Sequence, residues 1–467
     1  MEIPSNPKPY EAIPRAPRSR ILGSIPHFMA GGYEFLDRAH ACCGDLFVVD
    51  LKVNELVAVA SPEAAERVLV SESKNYDKGA EFWELGRDAL GNGLALSDGD
   101  LWRRQRRLMN PAFRMQRLKG LRQVIEEVVE HKVAELEVLA AEGDLDISRW
   151  TSDVLSTLTG RLLIGSSIPG PDFDRFKDAL QILTASAITG FVTKKLPSWL
   201  PLPGSAKFQQ AKTFVSETVL KIIDERRASG RDDNDLLGML LVATDDDGTM
   251  SNDQLRDEVV VTYIAGYETT AWALAWGLRL LARHPEILQE VQDSLRRHRD
   301  PLENPVLRCN FMEMLRLYPS APLLPRRAVV DGVLDGYRIP KDTTVVVLPW
   351  LIHRNPRIWD HPLEFDPKRH LDDHDRHRLS WMPFGAGQRL CVGKGLAMME
   401  AQIILDRVLR KFRPATSQKH ELVEPKFSAT LSSPIGVWVR MLPREEAIAR
   451  PVPPTAEGGR EMDAQGR

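Results

Sequence analysis

The chain is short of cysteine: its 467 residues include four, Cys42, Cys43, Cys309 and Cys391, with no CxxC spacing. That excludes a disulfide framework and a zinc knuckle, and it suits a reducing, intracellular compartment. Charge of either sign is not in excess, since 62 basic residues face 65 acidic ones for a net of −3. A protein that grips nucleic acid or another polyanion through bulk charge is therefore not expected. No apolar run is long and clean enough to span a bilayer. The nearest, Val259 to Ala282, carries Glu268 near its centre and ends beside Arg283, a pattern costly in lipid and natural in a helix buried in protein. The first twenty residues hold Pro4, Pro7, Pro9, Pro14 and Pro17 but no apolar core, so neither a signal peptide nor an anchor is expected there. Internal repeats and long linkers are absent too.

Length alone suggests about three domains at roughly 150 residues each, yet no composition break separates them. The expected layout is a proline-rich leader over 1–20, one large domain over 21–444 and a polar, disordered tail over 445–467. Two short strands joined at Val53–Glu55 are expected within 45–60, and Ser61-Pro62-Glu63 has the grammar of a helix start. Helical periodicity runs from about Leu101 to Leu317, and strand-rich patches follow at 329–349 and 426–441. The fold class is mainly α with small β-sheets (α+β).

The most informative stretch is Phe384-Gly-Ala-Gly-Gln-Arg-Leu-Cys391-Val-Gly393. Glycines around the cysteine allow tight turns and close approach of a flat, bulky ligand. The chain turns helical from Lys394, so Cys391 lies at or just before a helix N-terminus, where N–H groups favour a thiolate. Such a thiolate serves as a nucleophile or as a ligand to a soft or redox metal. No histidine lies nearby in sequence to act as its base, which turns the balance toward ligation, haem iron included. Cys42, Cys43 and Cys309 have no such context and read as background.

Phe384, Gly387, Arg389, Cys391 and Gly393 at these spacings resemble the haem-ligand signature of the cytochrome P450 family, and further motifs extend the resemblance over nearly the whole chain. It implies the fold of that family, with a long central helix over a haem b whose iron is held by Cys391, Phe384 and Gly393 lying against the cofactor. Glu313-Met-Leu-Arg316, followed by Leu317-Tyr318-Pro319 and by Phe365-Asp-Pro-Lys-Arg369, resembles the segments that form the family's buried charged triad. Glu313, Arg316 and Arg369 are accordingly structural. His370 departs from the family's usual phenylalanine. Glu84-Leu-Gly-Arg87 fits the same short pattern without that company and reads as a decoy. Ala265-Gly-Tyr-Glu268-Thr269-Thr resembles the oxygen-binding segment, in which Thr269 bonds the preceding turn and locally widens the helix. Glu268 and Thr269 then relay protons to the reacting oxygen. Trp102 and Arg106, at i and i+4, together with Arg326 and Arg389, are implied to hold haem propionates.

The resemblance further implies a monooxygenase that uses O2 and draws electrons, ultimately from NAD(P)H, through a ferredoxin or a flavin-containing reductase. Residues 101–122 carry eight basic side chains and no acidic one, and Arg103, Arg104 and Arg107 mark the expected docking patch. Phe82, Trp83, Leu94, Phe191, Ala265, Ala321, Leu323 and Thr430 are the expected substrate contacts. They offer few charges, so an apolar substrate such as a fatty acid, terpenoid or steroid is expected, hydroxylated or epoxidised. A cytoplasmic, bacterial monomer without a fused reductase completes the expectation. Two alternatives stay open: a peroxide-using or rearranging haem-thiolate enzyme, and a haem-binding protein without turnover.

Overall fold

The computed structural model describes residues 6–444 apart from 53, 80, 166–169, 194–204, 231–234, 247, 372–375 and 427–429, and omits the side chains of 81–82, 170–171 and 185–193. The expected tail, 445–467, lies outside the described residues. Two bodies of structure meet at the site: a large helical layer and a twisted five-stranded sheet. The sheet runs in the order Leu46–Asp50, Glu55–Val59, Thr344–Val347, Leu324–Ala328, Tyr76–Asp77. Glu55–Val59 and Thr344–Val347 pair in parallel, and every other neighbour is antiparallel. All four residues of Thr344–Val347 are buried, as a strand covered on both faces requires. A smaller sheet pairs Phe412–Thr416 with Trp438–Pro443 and that strand with Asp144–Asp146.

The described part of the proline-rich segment, from residue 6, bonds to the strands of the large domain. Ala16 N–H donates to the Val48 carbonyl at 2.9 Å and Lys8 N–H to that of Gly336 at 2.8 Å. Ile13 and Ala16 are buried. The strand pair expected in 45–60 is present, and the Ser61 hydroxyl caps the next helix by accepting from Ala64 N–H at 3.2 Å.

The helical layer is organised around Asn252–Arg283, the central helix. Its 32 residues make a rod of about 48 Å. It starts in a reciprocal cap: Ser251 Oγ accepts from Gln254 N–H at 3.2 Å, and the Gln254 side chain accepts from Ser251 N–H at 3.1 Å. Gly266 brings it against Ile147–Ile164, where an added Cβ would stand 3.0 Å from Thr159. The helix is continuous through 265–270, so the expected local widening is not present as a break. Among the described residues, no helix is long and apolar enough to cross a membrane.

Candidate active site

Backbone geometry builds the cysteine loop. Gly385 N–H donates to the Met382 carbonyl at 3.0 Å, Leu390 N–H to Gly387 at 3.1 Å and Cys391 N–H to Phe384 at 2.9 Å. Gly387 has φ +65°, and a Cβ there would stand 2.1 Å from the Leu69 carbonyl oxygen, so no other residue fits. The helix Lys394–Lys411 then carries the chain away. Cys391 lies deep in the protein, and burial is the largest influence on its thiol, raising the pKa. The N–H groups of Gly393 and Lys394 and the charge of Arg106 pull the other way without prevailing. The helix start therefore does not by itself make a thiolate, as the sequence had suggested. A metal cation at the sulfur would, because coordination deprotonates a thiol outright. The Cys391 side chain is nonetheless solvent-reachable.

The central helix faces open space in the same way. Ala265 is exposed in the middle of a helix otherwise buried nearly all round, and Thr262 and Thr269 are half-buried. Thr269 Oγ1 donates to the Ala265 carbonyl at 2.8 Å, and the Thr269 carbonyl accepts from Ser320 Oγ at 2.6 Å. The Glu268 carboxyl accepts from Thr430 Oγ1 at 2.8 Å. Burial raises its pKa, partly offset by that hydroxyl. Thr430, expected against substrate, is thus the partner of Glu268.

A cavity of about 490 Å3 opens between the sheet and the helix Gly99–Met109, lined by Trp102, Arg326 and Arg389 together with Lys78, Arg87 and Asp98. The Arg389 guanidinium lies 4.2 Å from the centre of the Trp102 ring and is paired with Asp98. Arg103 and Arg327, which also line it, are paired with Asp100 and Asp77, whereas the side chains of Lys78, Arg87 and Arg326 bond neutral groups. Lys78 Nζ donates to the Ala95 carbonyl and sits 3.9 Å from the Trp83 ring. Arg87 donates to the Leu96 carbonyl at 2.9 Å, and Arg326 to that of Pro325 at 2.8 Å. Burial, then repulsion from Arg389, brings Arg326 down to about 10. Lys78 falls well below its ordinary value through burial and then through Arg326 and Arg389. Lys78 and Arg326 are buried with no carboxylate paired to their side chains among the described residues, which suits an anion, and the propionates of haem b would supply that charge. Together with the reachable Cys391 sulfur, this donor set fits haem.

Sequence reasoning missed Lys78 and Asp98 and set Arg87 aside. Glu84 of that decoy motif is exposed, yet Arg87 reaches the cavity. Trp83, expected against substrate, donates its indole N–H to the Pro325 carbonyl at 3.0 Å and has Lys78 Nζ over its ring. Arg106 does not line this cavity; its charge acts on Cys391. Leu94 is buried, Ala321 and Leu323 are half-buried, and the side chains of Phe82 and Phe191 lie outside the described residues. Phe384 packs edge-on against Trp381 at 6.0 Å.

Glu313 joins two expected partners and a third that the sequence had marked only as a departure. Arg316 donates to both its oxygens at 2.8 Å, Arg369 Nε donates at 2.9 Å, and His370 Nε2 lies at 2.9 Å. A carboxylate only accepts, so His370 carries its proton on Nε2. Burial works to raise the Glu313 pKa, but these partners bring it to about 2. Arg316 also donates to the carbonyls of His353, Pro362 and Glu364.

The basic run is less free than its sequence suggests. Arg103 pairs with Asp100, and Arg104 and Arg107 both pair with Asp245. Arg114, Arg117 and Lys119 are exposed and make no ion pair among the described residues.

A reachable cysteine sulfur, a cationic cavity and an acid beside a hydroxyl on a central helix are the parts that a haem-thiolate oxygenase requires. Residues 14–437 match the sequence profile of the Cytochrome P450 family. The chain belongs to that family and is a haem-thiolate monooxygenase. It is 32% identical over 389 residues to "Cyclooctatin synthase" of Streptomyces melanosporofaciens, covering 79% of this chain and 83% of that one. To "Cyclooctat-9-en-7-ol 5-monooxygenase" of the same organism it is 31% identical, covering 79% and 82%. Human "Cytochrome P450 4V2" is 28% identical, covering 83% and 80%. Among solved structures, the cytochrome P450DA haem domain superposes with a TM-score of 0.82 at 25% identity, over 94% of this chain and 98% of that one.

Proposed function

We propose that this monooxygenase oxidises an apolar, ring-bearing small molecule of the terpenoid kind, with fatty acids and steroids as the nearest alternatives. The support is the open stripe of the central helix, Ala265 flanked by Thr262 and Thr269, which presents no charge. A relative named for an oxygenation of cyclooctat-9-en-7-ol points the same way. Haem b bound at Cys391 supplies the redox chemistry that activates O2. Lys78, Arg87, Trp102, Arg326 and Arg389 hold its propionates in this reading, while Asp98 orients Arg389. Burial keeps Glu268 in its protonated form to higher pH than usual, so it holds a proton that Thr269, one residue on, can pass toward the reacting oxygen.

Electrons come from a separate ferredoxin or flavoprotein and ultimately from NAD(P)H. Its docking surface is shifted from Arg103, Arg104 and Arg107, which are internally paired, to Arg114, Arg117, Lys119 and Lys394. These cations are exposed, as are the apolar side chains of Met115 and Leu390, and Met115 Sδ lies 3.0 Å from where a Cβ at Gly395, next to Lys394, would stand. The deciding experiment is the spectrum of the reduced, carbon-monoxide-bound protein: a red-shifted Soret band in the wild type, lost in Cys391→Ala, is expected. Retention of the band in that variant refutes the ligand assignment. Low-spin to high-spin spectral shifts with cyclic terpene alcohols, fatty acids and steroids then rank the substrate classes.

A further inference from the structure

Loop 91–97 is the only segment held at one end by the central helix and at the other by the cations of the haem-carboxylate cavity, among the contacts of the described residues. At the helix end, two adjacent acids each accept a loop N–H: Asn92 donates to Asp257 Oδ2 at 2.7 Å and Leu94 to Glu258 Oε2 at 2.9 Å. Gly93 lets the loop lie flat on the helix, since a Cβ there would stand 2.6 Å from the Asp257 carbonyl oxygen and 2.8 Å from Val261 Cβ. At the other end the carbonyls of Ala95, Leu96 and Ser97 are held by Lys78, Arg87 and Arg389. Gln105 bonds the Asn92 carbonyl between them at 2.8 Å.

Glu258 differs from Asp257 in where it sits. Positions 258, 262, 265 and 269 follow one another at i, i+4, i+7 and i+11, a single stripe of an α-helix. Thr262, Ala265 and Thr269 are the open members of that stripe, whereas Glu258 is fully buried beneath the loop. The loop therefore ends the open stripe, and the Glu258–Leu94 bond is its fastening. Asp257 is tied to Arg256 at 2.7 Å, but among the described residues Glu258 Oε1 has no hydrogen-bond partner, so there the polar engagement of Glu258 is with the loop.

We propose that Glu258 is a positioning residue for substrate selectivity: through the Leu94 N–H it fixes loop 92–96 at the end of the open helix face formed by Thr262, Ala265 and Thr269. The proposal rests on the reading of that open face as part of the substrate site. A merely structural glutamate would stabilise the fold without setting the size of ligand accepted.

The test uses haem-loaded wild type, Glu258→Ala and Glu258→Gln. Hydrogen exchange of the Leu94 amide is followed, and imidazole and 4-phenylimidazole are titrated spectrally as a small and a large ligand to the iron. In Glu258→Ala the Leu94 amide is expected to exchange about tenfold faster, as for one lost buried hydrogen bond. The ratio of the two azole dissociation constants shifts by about fivefold or more, an effect of about 1 kcal/mol. Gln keeps an acceptor oxygen and is expected to restore both. An unchanged ratio in Glu258→Ala overturns the proposal, whether or not exchange quickens. Should that variant not load haem, Gly93→Ala displaces the same loop from its backbone side, and an unchanged ratio there overturns the proposal equally. Failure of the underlying reading is distinguished by the wild type itself, which would then give no azole-induced Soret shift.

Discussion

Glu313→Gln removes the charge on which two buried guanidiniums converge while keeping the shape of the side chain. Glu313 and Arg316 are fully buried, and Arg369 is nearly so. The gap between the carboxyl's ordinary 4.5 and about 2 in the fold corresponds to roughly 3 kcal/mol of stabilisation. Breaking a buried pair by removing one partner costs about 3–5 kcal/mol on independent grounds, so the two routes agree. Because the folded pKa is depressed, this stability is present above about pH 4.5 and is lost as pH falls toward 2. Urea unfolding of wild type and variant should therefore differ by roughly 3 kcal/mol at neutral pH and converge in acid. Glu84→Gln, in the exposed decoy motif, serves as the control, with an expected change within about 0.5 kcal/mol. A difference for Glu313→Gln below about 1 kcal/mol, or one that does not shrink in acid, would refute the assignment of this cluster as the anchor of the core.

Thr430→Val deletes the hydroxyl that favours the ionised Glu268. The Glu268 pKa rises further, and the alkaline limb of the turnover–pH profile is expected to move to higher pH. Arg326→Leu should separate two effects in one variant. Removing an underpaired buried cation is expected to stabilise the apoprotein by about 1 kcal/mol, while haem is retained about tenfold less tightly for one lost charge-assisted hydrogen bond. Unfolding of the apoprotein and haem transfer to apomyoglobin measure them, and unchanged haem retention refutes the propionate role. Reversing charge at Arg117 and Lys119 should slow reduction by an acidic partner at low ionic strength, with the difference vanishing at high salt. Arg107→Ala should have the smaller effect, because Arg107 is already engaged by Asp245.

What the sequence made legible was chemistry packed into a few adjacent residues. The Cys391 loop is local: its glycines, its arginine and the start of the following helix all fall between Gly385 and Lys394, so spacing carries the geometry. The cationic cavity was only half legible, because Trp102, Arg326 and Arg389 sit in separate recognisable segments while Lys78 lies on a plain loop and Arg87 in a motif that fits another pattern. The ion pairing of the basic run was not legible, for the opposite reason. Asp245, which neutralises Arg104 and Arg107, comes from a hairpin more than a hundred residues away, and no local pattern announces it. Strands as short as Tyr76–Asp77 and Asp144–Asp146 carry no period to detect; their pairing comes from neighbours already in place.

His370 gives the departure from the family pattern a physical meaning. Its ring lies 2.9 Å from Glu313 on one side and 6.1 Å from the Trp381 ring centre on the other. Trp381 in turn meets Phe384, the first residue of the cysteine loop, and donates its indole N–H to the Met312 carbonyl at 3.1 Å. Met312 and Glu313 are consecutive on the helix Pro305–Leu317, so the charged cluster and the cysteine loop hang from adjacent residues of one turn. Interiors packed this densely pass on a displacement rather than absorb it. Loss of charge at Glu313 should therefore disturb the Cys391 loop before the protein unfolds. In Glu313→Gln, the thiolate Soret band of the reduced, carbon-monoxide-bound protein is expected to be lost at lower urea than the helical circular dichroism signal, whereas the two should coincide in wild type. Coincidence in both proteins would mean that the cluster stabilises the core without steering the ligand loop.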